Sequence, residues 1–114
     1  MVRPLPKSWL IHEIKYEKYT GNRDSYGNLI YDDPITIKFV RVDNETVFSR
    51  DTTDTKIVAN AVIFIDSTHS TNVPGKFVEQ SKITFKGDVF TLKKVIEAYY
   101  PTKDKIRHYE LEVV

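Results

Sequence analysis

Cysteine is absent from the 114 residues, which excludes a disulfide framework and thiolate zinc chemistry. The absence fits a reducing compartment without requiring one. Net charge is almost absent too, since 17 basic and 16 acidic side chains leave +1. A dedicated nucleic-acid binder normally carries a basic excess. No run approaches the ~20 apolar residues of a membrane span. The opening Met1-Val2-Arg3-Pro4-Leu5-Pro6-Lys7 is positive but has no apolar core of signal-peptide length behind it. The expectation is a chain that is cytosolic where it is made, with no membrane partner. There is no Gly-x-Ser-x-Gly elbow, phosphate-cradling glycine loop or His-Glu-x-x-His helix, and no internal repeat.

The chain does contain period-2 alternation. In residues 9–19, Leu10, His12, Ile14 and Tyr16 fall on one face and Glu13, Lys15 and Glu17 on the other, as in a half-buried strand. Pro4 and Pro6 keep the preceding arm, residues 1–8, out of helix or central strand. Residues 20–28 read as a loop dense in turn formers. Residues 35–42 form a strand with Ile35, Ile37 and Phe39 on one side and Val40 and Val42 opposite. Residues 57–66 are apolar on both faces, which marks a central strand or one half covered by a neighbouring subunit. Phe77-Val78-Glu79-Gln80 is ambiguous, with one helical turn an option. Gly87-Asp88 between two alternating runs signals a two-residue hairpin turn. Residues 108–113 close the chain with Tyr109, Leu111 and Val113 aligned. The fold class is therefore all-β, a single-domain barrel or sandwich over residues 1–114. It should have six to seven mostly antiparallel strands and long loops.

One segment does not suit such a scaffold. Residues 43–56 are polar and lie between two strand-like runs; connections this long are usually functional loops or disordered. No catalytic signature lies within it. Asp51 and Asp54, near Asp43 and Glu45, lack the spacing and glycine of a calcium loop, so a solvated loop is the better reading. His12, His69 and His108 sit on different elements, and a metal site from them needs carboxylates recruited across the fold. No cofactor is expected. Ser and Thr residues around His69 are too close in sequence to hold triad geometry. Trp9 with Tyr16, Tyr19, Tyr26, Tyr31, Tyr99, Tyr100 and Tyr109, interleaved with lysines, offers a stacking platform for single-stranded nucleic acid. Tyrosine is equally favoured at protein interfaces.

Three stretches carry a resemblance: Pro4-Leu5-Pro6-Lys7-Ser8-Trp9-Leu10-Ile11-His12, then Val40-Arg41-Val42 with the polar insert and Asn60-Ala61-Val62-Ile63-Phe64-Ile65-Asp66, and finally Gly87-Asp88-Val89-Phe90-Thr91-Leu92 with His108-Tyr109-Glu110-Leu111. In these the chain resembles the minor capsid proteins of tailed phages and prophages of Gram-positive bacteria. Its layout is similar to the head-completion, or stopper, proteins of siphophage connectors. The resemblance implies a non-enzymatic β-barrel that assembles with itself as a ring, a dodecamer or hexamer. A portal or adaptor protein would lie above it, a tail or tail-terminator protein below, and packaged double-stranded DNA in the channel. The location implied is the head–tail neck of the virion, reached from the host cytoplasm.

By position, residues 43–56 match the channel loop. Arg50 and Lys56 would meet phosphate, and Asp51 and Asp54 would pair with neighbouring loops or hold them apart. Residues 2–8 and 67–76 would contact adjoining rings, with Arg3, Pro4, Trp9, Phe48, His69 and Lys76 as interface residues. The alternative is an OB-like module binding single-stranded nucleic acid, and a small hydrolase or metal enzyme ranks last.

Overall fold

Alternating side chains decide which strands enclose the core. The computed structural model describes residues 7–44, 47–48 and 57–114. After a turn of 3-10 helix (Lys7–Trp9) come β1 (His12–Glu17), β2 (Tyr19–Arg23), β3 (Leu29–Tyr31), β4 (Ile35–Asp43) and β5 (Val47–Phe48). They are followed by β6 (Ile57–Ala59), β7 (Ala61–Asp66), β8 (Lys82–Phe85), β9 (Asp88–Tyr99) and β10 (Ile106–Val113). Six of these strands, in the order β1-β4-β7-β10-β9-β8, close into a barrel, and every pairing in it is antiparallel. The expected all-β class is thus met, as a barrel. Its interior holds Ile14, Tyr16, Ile37, Val40, Ile63, Ile65, Ile83, Leu92, Leu111 and Val113, all essentially inaccessible. Closure pairs most of the barrel's strand edges, with residues 93–99 of β9 paired on one edge only, to β10.

The faces expected for β1 and β10 hold: Leu10, Ile14 and Tyr16 are buried, as are Tyr109, Leu111 and Val113. β4 differs. His12 pairs with Val40 while Glu13 pairs with Lys38, so Phe39 is an extra residue in the strand. Its φ of +58° is left-handed. A bulge reverses the alternation, so Ile37, Val40 and Val42 all point inward while Ile35 and Phe39 stay exposed. The left-handed backbone costs roughly 1–2 kcal/mol for a residue with a Cβ, and the loop after β7 holds it in place. Ser70 Oγ donates to the Phe39 carbonyl, the Thr71 N–H donates to Lys38 O at 3.1 Å, and Asn72 Nδ2 donates to Thr36 O at 3.0 Å. The buried Asp66 carboxylate starts that loop by accepting the N–H groups of Thr68 and His69 at 2.9 and 2.7 Å.

Four other expectations need correction. Residues 57–66 are not one strand, because a bend at Asn60 separates β6, which pairs with β5, from β7 in the barrel. Residues 20–28 are not all loop: β2 and β3 pair, and the turn between them is held by Asp24, whose Oδ1 accepts the N–H groups of Tyr26 and Asn28, each at 2.9 Å. The β8–β9 turn is Lys86-Gly87, because Phe85 pairs with Asp88; both turn residues have positive φ, +49° and +84°, as a type I′ turn requires. Residues 77–80 form no helix. Val78 O accepts Ser81 N–H at 3.3 Å, and Phe77 stacks edge-on against Tyr16 and Tyr109, at 5.2 and 5.0 Å, to seal one end of the barrel.

Candidate interaction surfaces

The N-terminal segment builds the most defined surface. A tight turn follows its 3-10 helix, with Ile11 N–H donating to Trp9 O at 3.1 Å, and lays residues 9–11 outside the barrel. Leu10 is buried, while Trp9 and Ile11 remain 55% and 68% exposed. Leu10 walls two adjoining depressions. One, of about 130 Å³, is lined by Trp9, Leu10, Arg41, Asp43, Phe64 and His108. The other, shallower, is lined by Leu10, Ile11, His12, Glu13, Lys38 and Phe39. Phe64 belongs to the outer face of β7, the second apolar face that marked residues 57–66 as a central strand or one half covered by a neighbouring subunit; part of its cover is the chain's own residues 9–10.

The polar groups at this surface are tightly arranged. Arg41 Nε lies 3.0 Å from Asp43 Oδ1 in a half-exposed ion pair. His108 Nε2 lies 3.3 Å from Glu110 Oε2, whereas its Nδ1 is buried without a hydrogen-bond partner. His12 Nδ1 accepts the Val42 N–H at 3.0 Å, and its ring packs edge-on against Phe85 at 4.9 Å. Burial, then the nearby Lys86 and Arg41 charges, lower the His12 pKa from 6.5, and Asp43 opposes them. Among the described residues no group of three His, Asp or Glu side chains is placed to hold a metal ion. No described helix is long and apolar enough to cross a membrane.

Of the residues singled out in the sequence, Arg3, Pro4, Arg50, Asp51, Asp54 and Lys56 lie outside the described residues. Phe48 lies in β5, paired with Ile57. Trp9 stands at the rim of the 130 Å³ depression. His69 is half-buried in the loop pinned to the β4 bulge, and Lys76 is exposed farther along that connection. The tyrosines do not share one platform. Tyr16 and Tyr109 are core residues, Tyr19 and Tyr31 pair on the β2–β3 hairpin, and Tyr26 is 90% exposed at its turn. Sequence reading missed Phe39, Phe64 and the pocket role of His108. The apolar outer face of β7 was the one available signal.

The described residues thus form a closed barrel with two further two-stranded pairings, β2–β3 and β5–β6. The sequence profile of the minor capsid protein family matches residues 6–113, and the chain belongs to that family. It is also similar to "Uncharacterized protein ORF5" of Lactococcus phage mv4, 27% identical over 99 residues that cover 83% of this chain and 88% of that protein. No solved structure matches it. The chain is therefore a phage structural protein, of the virion.

Proposed function

We propose that the protein is a non-catalytic subunit of a head-to-tail connector ring, a stopper-like piece that closes the DNA channel after packaging and docks the tail. Copies of the chain form the ring, with a portal or adaptor protein on one side and a tail component on the other. Barrel closure leaves little strand edge for addition, so assembly draws on its side-chain surfaces and its excursions. The observation that carries the reading is the root of the polar excursion. Adjacent barrel strands β4 and β7 run directly into it, and β5 and β6 pair as its stem, with Val47 opposite Ala59. The residues between β5 and β6 in the sequence include Arg50 and Lys56, which suit a polyanion. A ring multiplies each such weak contact.

The test replaces residues 49–56 by Asn-Gly. The variant should keep the melting temperature of the parent, enter particles, and give heads that package DNA and then lose it. Heads that retain DNA as the parent does would overturn the channel-closing role.

A further inference from the structure

We propose that the depression walled by Trp9, Leu10, Phe64 and His108 receives the Tyr26 phenol of a neighbouring copy, as the head-to-tail contact within the ring; this rests on the connector reading above. The pocket specifies its occupant chemically. In the neutral tautomer that donates from Nε2 to the Glu110 carboxylate, His108 presents Nδ1 as an acceptor, and that atom is buried without a hydrogen-bond partner. A buried polar atom left without a partner is costly. Apolar and aromatic walls with a single acceptor call for an apolar body that carries one donor, and a phenol is such a group. The volume, about 130 Å³, is of the order of the ~150 Å³ cavity that takes up benzene. Trp9, more than half exposed on a lone 3-10 turn, is the wall that yields to admit the hydroxyl to Nδ1.

Tyr26 supplies that group. It is the most exposed large hydrophobic side chain among the described residues. Its turn is preorganised by Asp24, whose carboxylate is occupied by the turn's own N–H groups, and by Arg23 Nη1 donating to Gly27 O at 2.9 Å. Arg41 and Asp43 line the pocket as an ion pair and the Glu110 carboxylate lies beside His108, while Arg23 and Asp24 leave the Tyr26 turn without net charge to oppose docking. A chain cannot fill its own pocket. β1 starts at the pocket end, where His12 pairs with Val40, and the β2–β3 hairpin leaves from its other end, where Tyr16 pairs with Ile35. Tip and pocket lie on different surfaces, so the contact is heterologous and repeats around a closed ring.

The absence of native cysteine makes disulfide trapping clean. Particles assembled with a chain carrying both Trp9→Cys and Tyr26→Cys are oxidised and run without reductant. The expected result is a ladder of cross-linked chains, with neither single variant giving one; Arg41→Cys in place of Trp9→Cys provides a second wall position. Tyr26→Ala should enter particles roughly tenfold less well, as loss of an aromatic anchor predicts. Chain present in particles without a ladder, or with a ladder from a single variant, overturns the contact and leaves the connector reading standing. If the chain without substitutions is absent from particles, the connector reading fails instead. Mixing the two purified single variants under the same oxidant then decides the contact, a mixed dimer supporting it and none overturning it.

Discussion

His12 shows how much can depend on one proton. Its Nδ1 accepts the Val42 N–H, which only a ring without a proton at Nδ1 can do. Burial, Lys86 and Arg41 together hold its pKa below 6.5. Above 6.5 the ring is neutral both folded and unfolded, and its contribution to stability is intact. As pH falls below 6.5 the unfolded chain takes up the proton first, so the unfolded state binds more protons and stability declines. The decline levels off once the folded ring is protonated as well. Urea unfolding followed from about pH 7.5 to about pH 5.5, above the usual carboxylate range, should show a falling midpoint. His12→Gln, whose amide oxygen accepts the same bond at any pH, should flatten part of the slope; an unchanged slope would remove His12 from the account. Ser81 makes a second residue-scale case. Its buried Oγ accepts the Tyr19 N–H at 2.9 Å and lies 3.3 Å from the Tyr16 hydroxyl. Ser81→Ala orphans that N–H inside the seal of the barrel and should lower unfolding free energy by about 1–3 kcal/mol, read by chemical denaturation.

Among the elements, the β8–β9 hairpin carries a correctable flaw. Lys86 sits at φ +49° in the first position of a type I′ turn where asparagine is favoured. Lys86→Asn should raise stability by about 0.5–1 kcal/mol, net of the lost Lys86–Phe85 cation–π contact at 5.3 Å. The same change removes a positive charge near His12 and should move that pKa up, visible in an NMR titration. This turn also shows what sequence can disclose. Gly87 announced a hairpin, but it did not say whether glycine would be the first or second turn residue, since either accepts positive φ. β1 and β10 were legible because unbroken alternation meets one buried face. β4 was not, since a bulge at Phe39 inverts the phase and its cause lies in Ser70, Thr71 and Asn72, more than thirty positions away. β2 looked like loop because Thr20, Gly21, Asn22 and Arg23 are small or polar and gain pairing with little burial. Of the pocket residues, Trp9 alone was named in advance as an interface residue, because Phe64 and His108 meet it only through barrel closure.

At the scale of the whole molecule, β4 has an arm at each end. The β2–β3 hairpin precedes Ile35, and the β5–β6 stem follows Asp43; at about 3.3 Å per residue, the nine residues of β4 separate the arms by roughly 30 Å along the strand. The arms differ from the barrel in energetics as well as position. β7 and β10 bury one face and pair with a neighbour on both edges, so they open only when the whole sheet opens. β2 and β3 pair with each other alone, and most of their residues are half or fully exposed. Such a segment opens locally at little cost. Hydrogen exchange of the isolated protein should therefore show the β7 and β10 amides exchanging together and last, by global unfolding, with the β2–β3 amides exchanging much earlier. Docking of Tyr26 into a neighbour would add the missing apolar contact, so the hairpin amides should slow down in assembled particles while the β7 and β10 amides stay as they were. Hairpin amides as slow as the barrel in the free chain would mean that the arm is part of the cooperative core. The separation between a rigid barrel and arms that gain order on assembly would then not hold.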